Sequence, residues 1–132
     1  MAYETRYSVN ERVIHNRLYG EMTPEDPAGF NTATLDLIRS GDAPVHLIFD
    51  TSDLQPVGVP LKDVLEMVTF PGENKLGWVI IVGENPFARF VGSLLMQAGR
   101  VKYRMVGSLD EAVAILQRMD TSLQYVMQEP QS

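Results

Sequence analysis

The chain has 132 residues, 45% of them hydrophobic and 21% charged, a make-up that predicts one globular domain with a real core and argues against a disordered or membrane-embedded chain. Its 17 acidic residues outnumber 11 basic ones, and the net charge of -6 disfavours nucleic acid and anionic lipid as partners. The absence of cysteine excludes disulfides, thiol nucleophiles and thiolate metal sites.

The first residues, Met-Ala-Tyr-Glu-Thr-Arg-Tyr, lack the apolar centre of a signal peptide, and no apolar run is long enough to span a bilayer. A cytoplasmic location without integral membrane association is therefore expected. From Arg6 to Met22 the chain is rich in β-formers but breaks at Asn10-Glu11, which predicts two short strands, the second over about Arg12 to Tyr19. Thr23-Pro24-Glu25-Asp26-Pro27 offers two helix starts, and the later one, with Asp26 as cap and Pro27 at the first helical position, spares a helical hydrogen bond. Behind it Phe30, Ala33, Thr34, Leu37 and Ile38 form one helical stripe, with Gly41 suited to a left-handed C-terminal cap.

Pro44 opens a strand over Val45 to Phe49. A polar loop of about ten residues, Asp50 to Pro60, then leads into a helix whose stripe is Leu61, Val64, Leu65 and Val68, stopped by Pro71-Gly72. Trp78 to Val82 is apolar at every position, as expected of a parallel strand covered on both faces. Asn85-Pro86 reads as cap and first helical residue of a third helix, whose stripe is Phe87, Phe90, Val91, Leu94, Leu95 and Ala98, closed by Gly99. After a last strand from Tyr103, Ser108 and Glu111 make a capping box, followed by Ala112, Ile115, Leu116 and Met119.

The predicted order is β-β-α-β-α-β-α-β-α. It implies an α/β fold in a single domain: a mixed, mostly parallel sheet of about five strands with about four helices, an antiparallel first strand at its edge, and right-handed crossovers. Residues 1–120 form the domain and residues 121–132 a tail. Leu123, Tyr125, Val126 and Met127 make that tail apolar enough to favour packing on its own domain over a neighbour.

Catalytic signatures are absent from the pattern. There is no Gly-x-Ser-x-Gly elbow, and both histidines, His15 and His46, fall inside predicted strands as packed or edge residues. No carboxylates share a metal-binding spacing with them, so no metal, cofactor or catalytic residue is expected. At Gly83-Glu84-Asn85-Pro86 the glutamate repels phosphate and the proline removes an amide, which leaves helix capping as the role of that turn. Asp50 ends a central strand as a phospho-acceptor does in two-component receivers, yet the acidic pair and the lysine that such chemistry needs are missing. Asp50 is instead expected to bond the amides of the next turn.

The strand ending Leu47-Ile48-Phe49-Asp50, the polar loop and amphipathic helix, Trp78 to Gly83, and Tyr103 to Leu116 with its Asp110-Glu111-Ala112 helix start together resemble the STAS domain. More closely they look like its SpoIIAA-like branch, named for anti-sigma-factor antagonists and related to lipid-binding Sec14-type modules. The likeness runs from about Tyr7 to Met119. It implies a non-catalytic regulatory module that presents a loop and helix to a protein partner. Phospho-regulated members carry a serine in an Asp-Ser-Ser-Gly-type motif before that helix. Gln55-Pro56-Val57-Gly58-Val59-Pro60 stands there in this chain with no hydroxyl, so the serine switch does not carry over.

The leading expectation is a self-associating protein-interaction module, a homodimer or other homo-oligomer, whose candidate contact residues are Thr51, Ser52, Asp53, Met67 and Phe70. Met67 and Phe70 fall outside or at the edge of the helix stripe and are read as exposed apolar surface. The alternative is a small-ligand or lipid carrier, with a pocket between the third helix and the sheet lined by Phe87, Phe90 and Leu94. An enzyme built on Asp50, Asp53 and Glu84 ranks last, because carboxylates alone support few reactions.

Overall fold

The computed structural model describes residues 3–55 and 59–123. Among them β1 (Tyr3–Val9), β2 (Val13–Gly20), β3 (Val45–Leu54), β4 (Leu76–Val82) and β5 (Tyr103–Val106) form one sheet in the order β1-β2-β3-β4-β5. β1 pairs antiparallel with β2, and every other pairing is parallel. The helices are α1 (Asp26–Ser40), α2 (Leu61–Met67), α3 (Pro86–Ala98) and α4 (Leu109–Met119), with short 3-10 turns at Phe70–Gly72 and Thr121–Leu123.

Strand alternation divides the core in two. Ile14, Leu47, Val79 and Ile81 face Ile38 of α1, Val64 of α2 and Val91, Leu95 and Met96 of α3. Val13, Ile48, Ile80 and Val82 face Ala112 and Leu116 of α4 together with Leu123. Each Val, Leu, Ile and Met among them contributes roughly 1.5–3 kcal/mol on full burial. Three helices on one face and one on the other therefore place most of the driving force on the α1–α3 side. α4 lies over β3 to β5.

Several local expectations are corrected. α1 begins at Asp26 with Glu25 as cap residue, and the Asp26 carboxylate accepts from the Thr23 amide at 2.8 Å instead of capping the helix. Gly41 is extended, with φ −89° and ψ 177°, and not left-handed. At the end of α3 the left-handed residue is Arg100, φ 58°, while Gly99 stays right-handed. Contact and not a left-handed backbone is what calls for glycine at 99, since a Cβ there would lie 2.6 Å from the Pro71 carbonyl oxygen. β3 runs on to Leu54 because, past an irregularity in β2, Asp53 and Leu54 still pair with Tyr19 and Gly20. The stretch from Thr51 to Leu54 is thus strand and not loop. Pro56, Val57 and Gly58, like Tyr125, Val126 and Met127, lie outside the described residues.

The Asn85 cap behaves as the sequence indicates, accepting from the Phe87 and Ala88 amides, and Ser108 accepts from the Glu111 amide. Asn31, which no periodicity singled out, is buried on α1. Its side-chain oxygen takes the Thr69 and Phe70 amides at 2.9 and 3.0 Å, fixing the turn after α2.

Candidate functional site

The carboxyl end of the sheet gathers the polar residues that the sequence singled out. Asp50 accepts from the Ser52 amide at 3.0 Å, the local turn expected of it. His15 on β2 brings Nε2 to 3.8 Å from Asp50 Oδ2, beyond hydrogen-bond reach but within ion-pair range once the ring is protonated. The His15 imidazole and then the Ser52 amide and hydroxyl hold the Asp50 carboxyl at about 2, against the opposing effect of burial. Asp53 is exposed and pairs with Arg17 at 2.9 Å.

Thr51 does not face a partner. It is 1% exposed, and its hydroxyl donates to the Val82 carbonyl at 2.8 Å, locking β3 to β4. Phe70 is likewise removed from the surface, at 1% exposure, where its ring stacks on Phe49 at 6.3 Å. The 3-10 turn that Pro71 and Asn31 impose swings it inward. Of the interaction candidates, Ser52 and Asp53 are exposed and Met67 is half-buried.

α3 holds the larger surprise. Its inward side is Ala88, Val91, Leu95 and Met96, whereas Phe87, Phe90 and Leu94 are 38%, 55% and 36% exposed. The helix is apolar almost all round, and Gly92 lets its backbone sit close on the sheet: a Cβ there would lie 2.7 Å from Ile81 Cδ1. Phe90 and Leu94 therefore do not line a pocket against the sheet. Phe87 alone of the three borders the apolar cavity beneath α3, which holds about 50 Å³ among side chains such as Met22, Phe49 and Leu95. Small-molecule pockets run to about 300–1,000 Å³, so this space is a packing gap on that scale.

On the outside, Leu94 and Ala98 of α3 face Leu65 of α2 across an open groove of about 500 Å³. Leu65, expected in the buried stripe, is 38% exposed at this groove. Phe87, Phe90, Leu94 and Leu65 thus extend one apolar strip along α3 to α2.

A second polar cluster lies at the opposite end of the strands. His46, 2% exposed, accepts the Trp78 amide on Nδ1 at 2.9 Å and meets Asp120 Oδ2 through Nε2 at 2.9 Å. Because Nδ1 is an acceptor, the ring is the neutral Nε2–H tautomer and donates to Asp120. Burial lowers the His46 pKa despite its aspartate neighbour. Burial also pushes Asp120 up, but His46, Ser122 and Arg12 outweigh it and hold that carboxyl at about 2. Arg12 reaches Asp120 at 2.7 Å. The cluster ties the end of α4 to the starts of β2 and β3. No pattern in the chain could reveal it, because residues 46 and 120 are joined only by the fold.

Among the described residues no group of three or more His, Asp or Glu side chains is placed to hold a metal ion, and no helix is long and apolar enough to cross a membrane. The carboxylates Asp50, Asp53 and Glu84 are each engaged locally or exposed, and none is set beside a hydrogen-bonded base.

No protein-family model matches the chain, and no curated protein matches it. Among solved structures it is similar to the anti-sigma factor antagonist SpoIIAA in its unphosphorylated form, with a TM-score of 0.54 and 13% identity over 89% of this chain and 96% of that one. The mixed five-stranded sheet with three helices on one face and one on the other is thus the SpoIIAA fold, as the order of elements implied.

Proposed function

We propose that this chain is a non-catalytic regulatory module that binds another protein through the outer face of α3 and the adjoining side of α2, and that it also self-associates. The apolar strip of Phe87, Phe90, Leu94 and Leu65 carries the reading. Large side chains of this kind, contiguous and turned to water, mark binding surfaces in globular proteins. Ser52, Asp53 and Met67 would border that contact, and the likeness to an anti-sigma factor antagonist supports a regulatory role. A carrier role is the weaker reading, because the cavity beneath α3 is far smaller than a lipid.

Quantitative affinity capture from the native cell, comparing wild type with Phe90→Glu and with Leu109→Glu on α4, tests this. A protein retained by wild type and Leu109→Glu but lost by Phe90→Glu supports the α3 face. Equal recovery by all three chains refutes it.

A further inference from the structure

β1 is an edge strand. It pairs with β2 on one side, and among the described residues no strand pairs with the other. Such an edge presents a row of amides and carbonyls ready to template another strand, which proteins commonly block with charge, proline or a bulge. Here there is no proline, and the register irregularity comes only after Tyr7.

The charges on β1 do not simply block. The segment Tyr3-Glu4-Thr5-Arg6-Tyr7 is symmetric about Thr5 in side-chain type and antisymmetric in charge. Laid antiparallel against a second copy about a two-fold axis at Thr5, each Glu4 faces Arg6 of the other copy, each Tyr3 faces Tyr7, and the threonines face each other. Opposite-charge, aromatic–aromatic and Thr–Thr pairs are the classes that favour cross-strand pairing.

The side chains are placed for it. Glu4 and Arg6 are exposed, and among the described residues neither is in a salt bridge. They share the α4 side of the sheet, where Arg6 borders a small gap lined also by His15, Leu109 and Val113. Tyr3, Thr5 and Tyr7 project to the α1 side. There Tyr3 packs edge-on to Phe30 at 6.2 Å, Tyr7 donates to the Leu37 carbonyl, and Thr5 donates to Asn16 at 3.0 Å, its partner Asn16 in turn donating to Thr34 at 2.7 Å. These bonds hold β1 flat against its own domain, and among the described residues no strand pairs with its outer edge.

We propose that two copies of this chain associate through β1, antiparallel and centred on Thr5, joining two five-stranded sheets into one. Two-fold closure uses up the β1 edge of each copy, so this contact by itself ends at a dimer whose joined sheet is bounded by the two β5 strands. The inference deepens the self-association in the reading above and is independent of the α3 strip, which lies across the sheet over β4.

Sedimentation velocity on the purified chain over a wide concentration range tests it, with circular dichroism as a check on folding. Wild type is expected to sediment at twice the monomer mass. Arg6→Glu alone and Glu4→Arg alone, each placing like charges in register, are expected to halve it. An equimolar mixture of the two variants restores opposite charges at every pair and is expected to return the doubled mass. A monomeric wild type, a dimeric Arg6→Glu, or a mixture that stays monomeric overturns the proposal. Each of these outcomes leaves partner capture by the α3 face to its own test. Misfolding of one single variant leaves the double variant Glu4→Arg/Arg6→Glu, which must dimerise as wild type does.

Discussion

Two histidines stand beside two aspartates on the same face of the sheet, one at the start of β3 and one beside its middle. At the first, His46 has both ring nitrogens bonded within the protein, to the Trp78 amide and to Asp120. At the second, His15 Nε2 is shielded yet makes no hydrogen bond to protein atoms, and stands 3.8 Å from Asp50. The same pair of residue types is closed in one place and open in the other. The difference shows that burial alone does not make a histidine structural: what counts is whether the surrounding backbone and side chains occupy both nitrogens.

The sharpest way to break this contrast is His46→Ala. It strands the Trp78 amide, removes a donor from Asp120 and opens space in a packed corner, so a loss of about 2–4 kcal/mol in urea unfolding is expected. Acid titration comes next. The neutral folded His46 holds its proton less tightly than the ordinary value of 6.5, so the unfolded chain is protonated first and stability present above that value is lost as pH falls through it. Asp50 and Asp120, at about 2 against an ordinary 3.8, add a second loss that develops between those values. Unfolding midpoints measured across pH should show both phases, and His46→Gln should remove the upper one while keeping the lower.

Asp120→Asn, which keeps the shape but weakens the charged bonds to Arg12 and His46, is expected to cost about 1–2 kcal/mol by the same measurement. His15→Leu should have the smallest effect, since its Nε2 makes no hydrogen bond to the protein and what it gives up is its hold on Asp50, so the Asp50 part of the acid-range loss should shrink. A loss as large as that of His46→Ala would mean that the second pair is closed too.

The architecture was legible because each strand–helix unit carries its own period and punctuation: the unbroken apolar run of β4, the Asn85-Pro86 start of α3, and the Ser108 cap of α4 all report locally. The site was less so. Phe87, Phe90 and Leu94 stand at helical spacing and are as apolar as Val91 and Leu95, so two overlapping stripes competed and only packing against Ile81 decides which is buried. Phe70 illustrates the converse. Its inward turn depends on Asn31, a residue 39 positions earlier whose amide-binding role leaves no periodic trace. His46 and Asp120 are 74 positions apart, and their meeting is a product of topology.

Trp78 is the chain's one tryptophan. Its indole is flanked by the Arg104 guanidinium at 4.8 Å and the Lys102 ammonium at 5.8 Å, and its own amide is the group held by His46. Intrinsic fluorescence is therefore an optical reporter of a single corner. Emission should track the titration of that imidazole and the loosening of the final helix, and stay silent when a visitor settles on the distant phenylalanines.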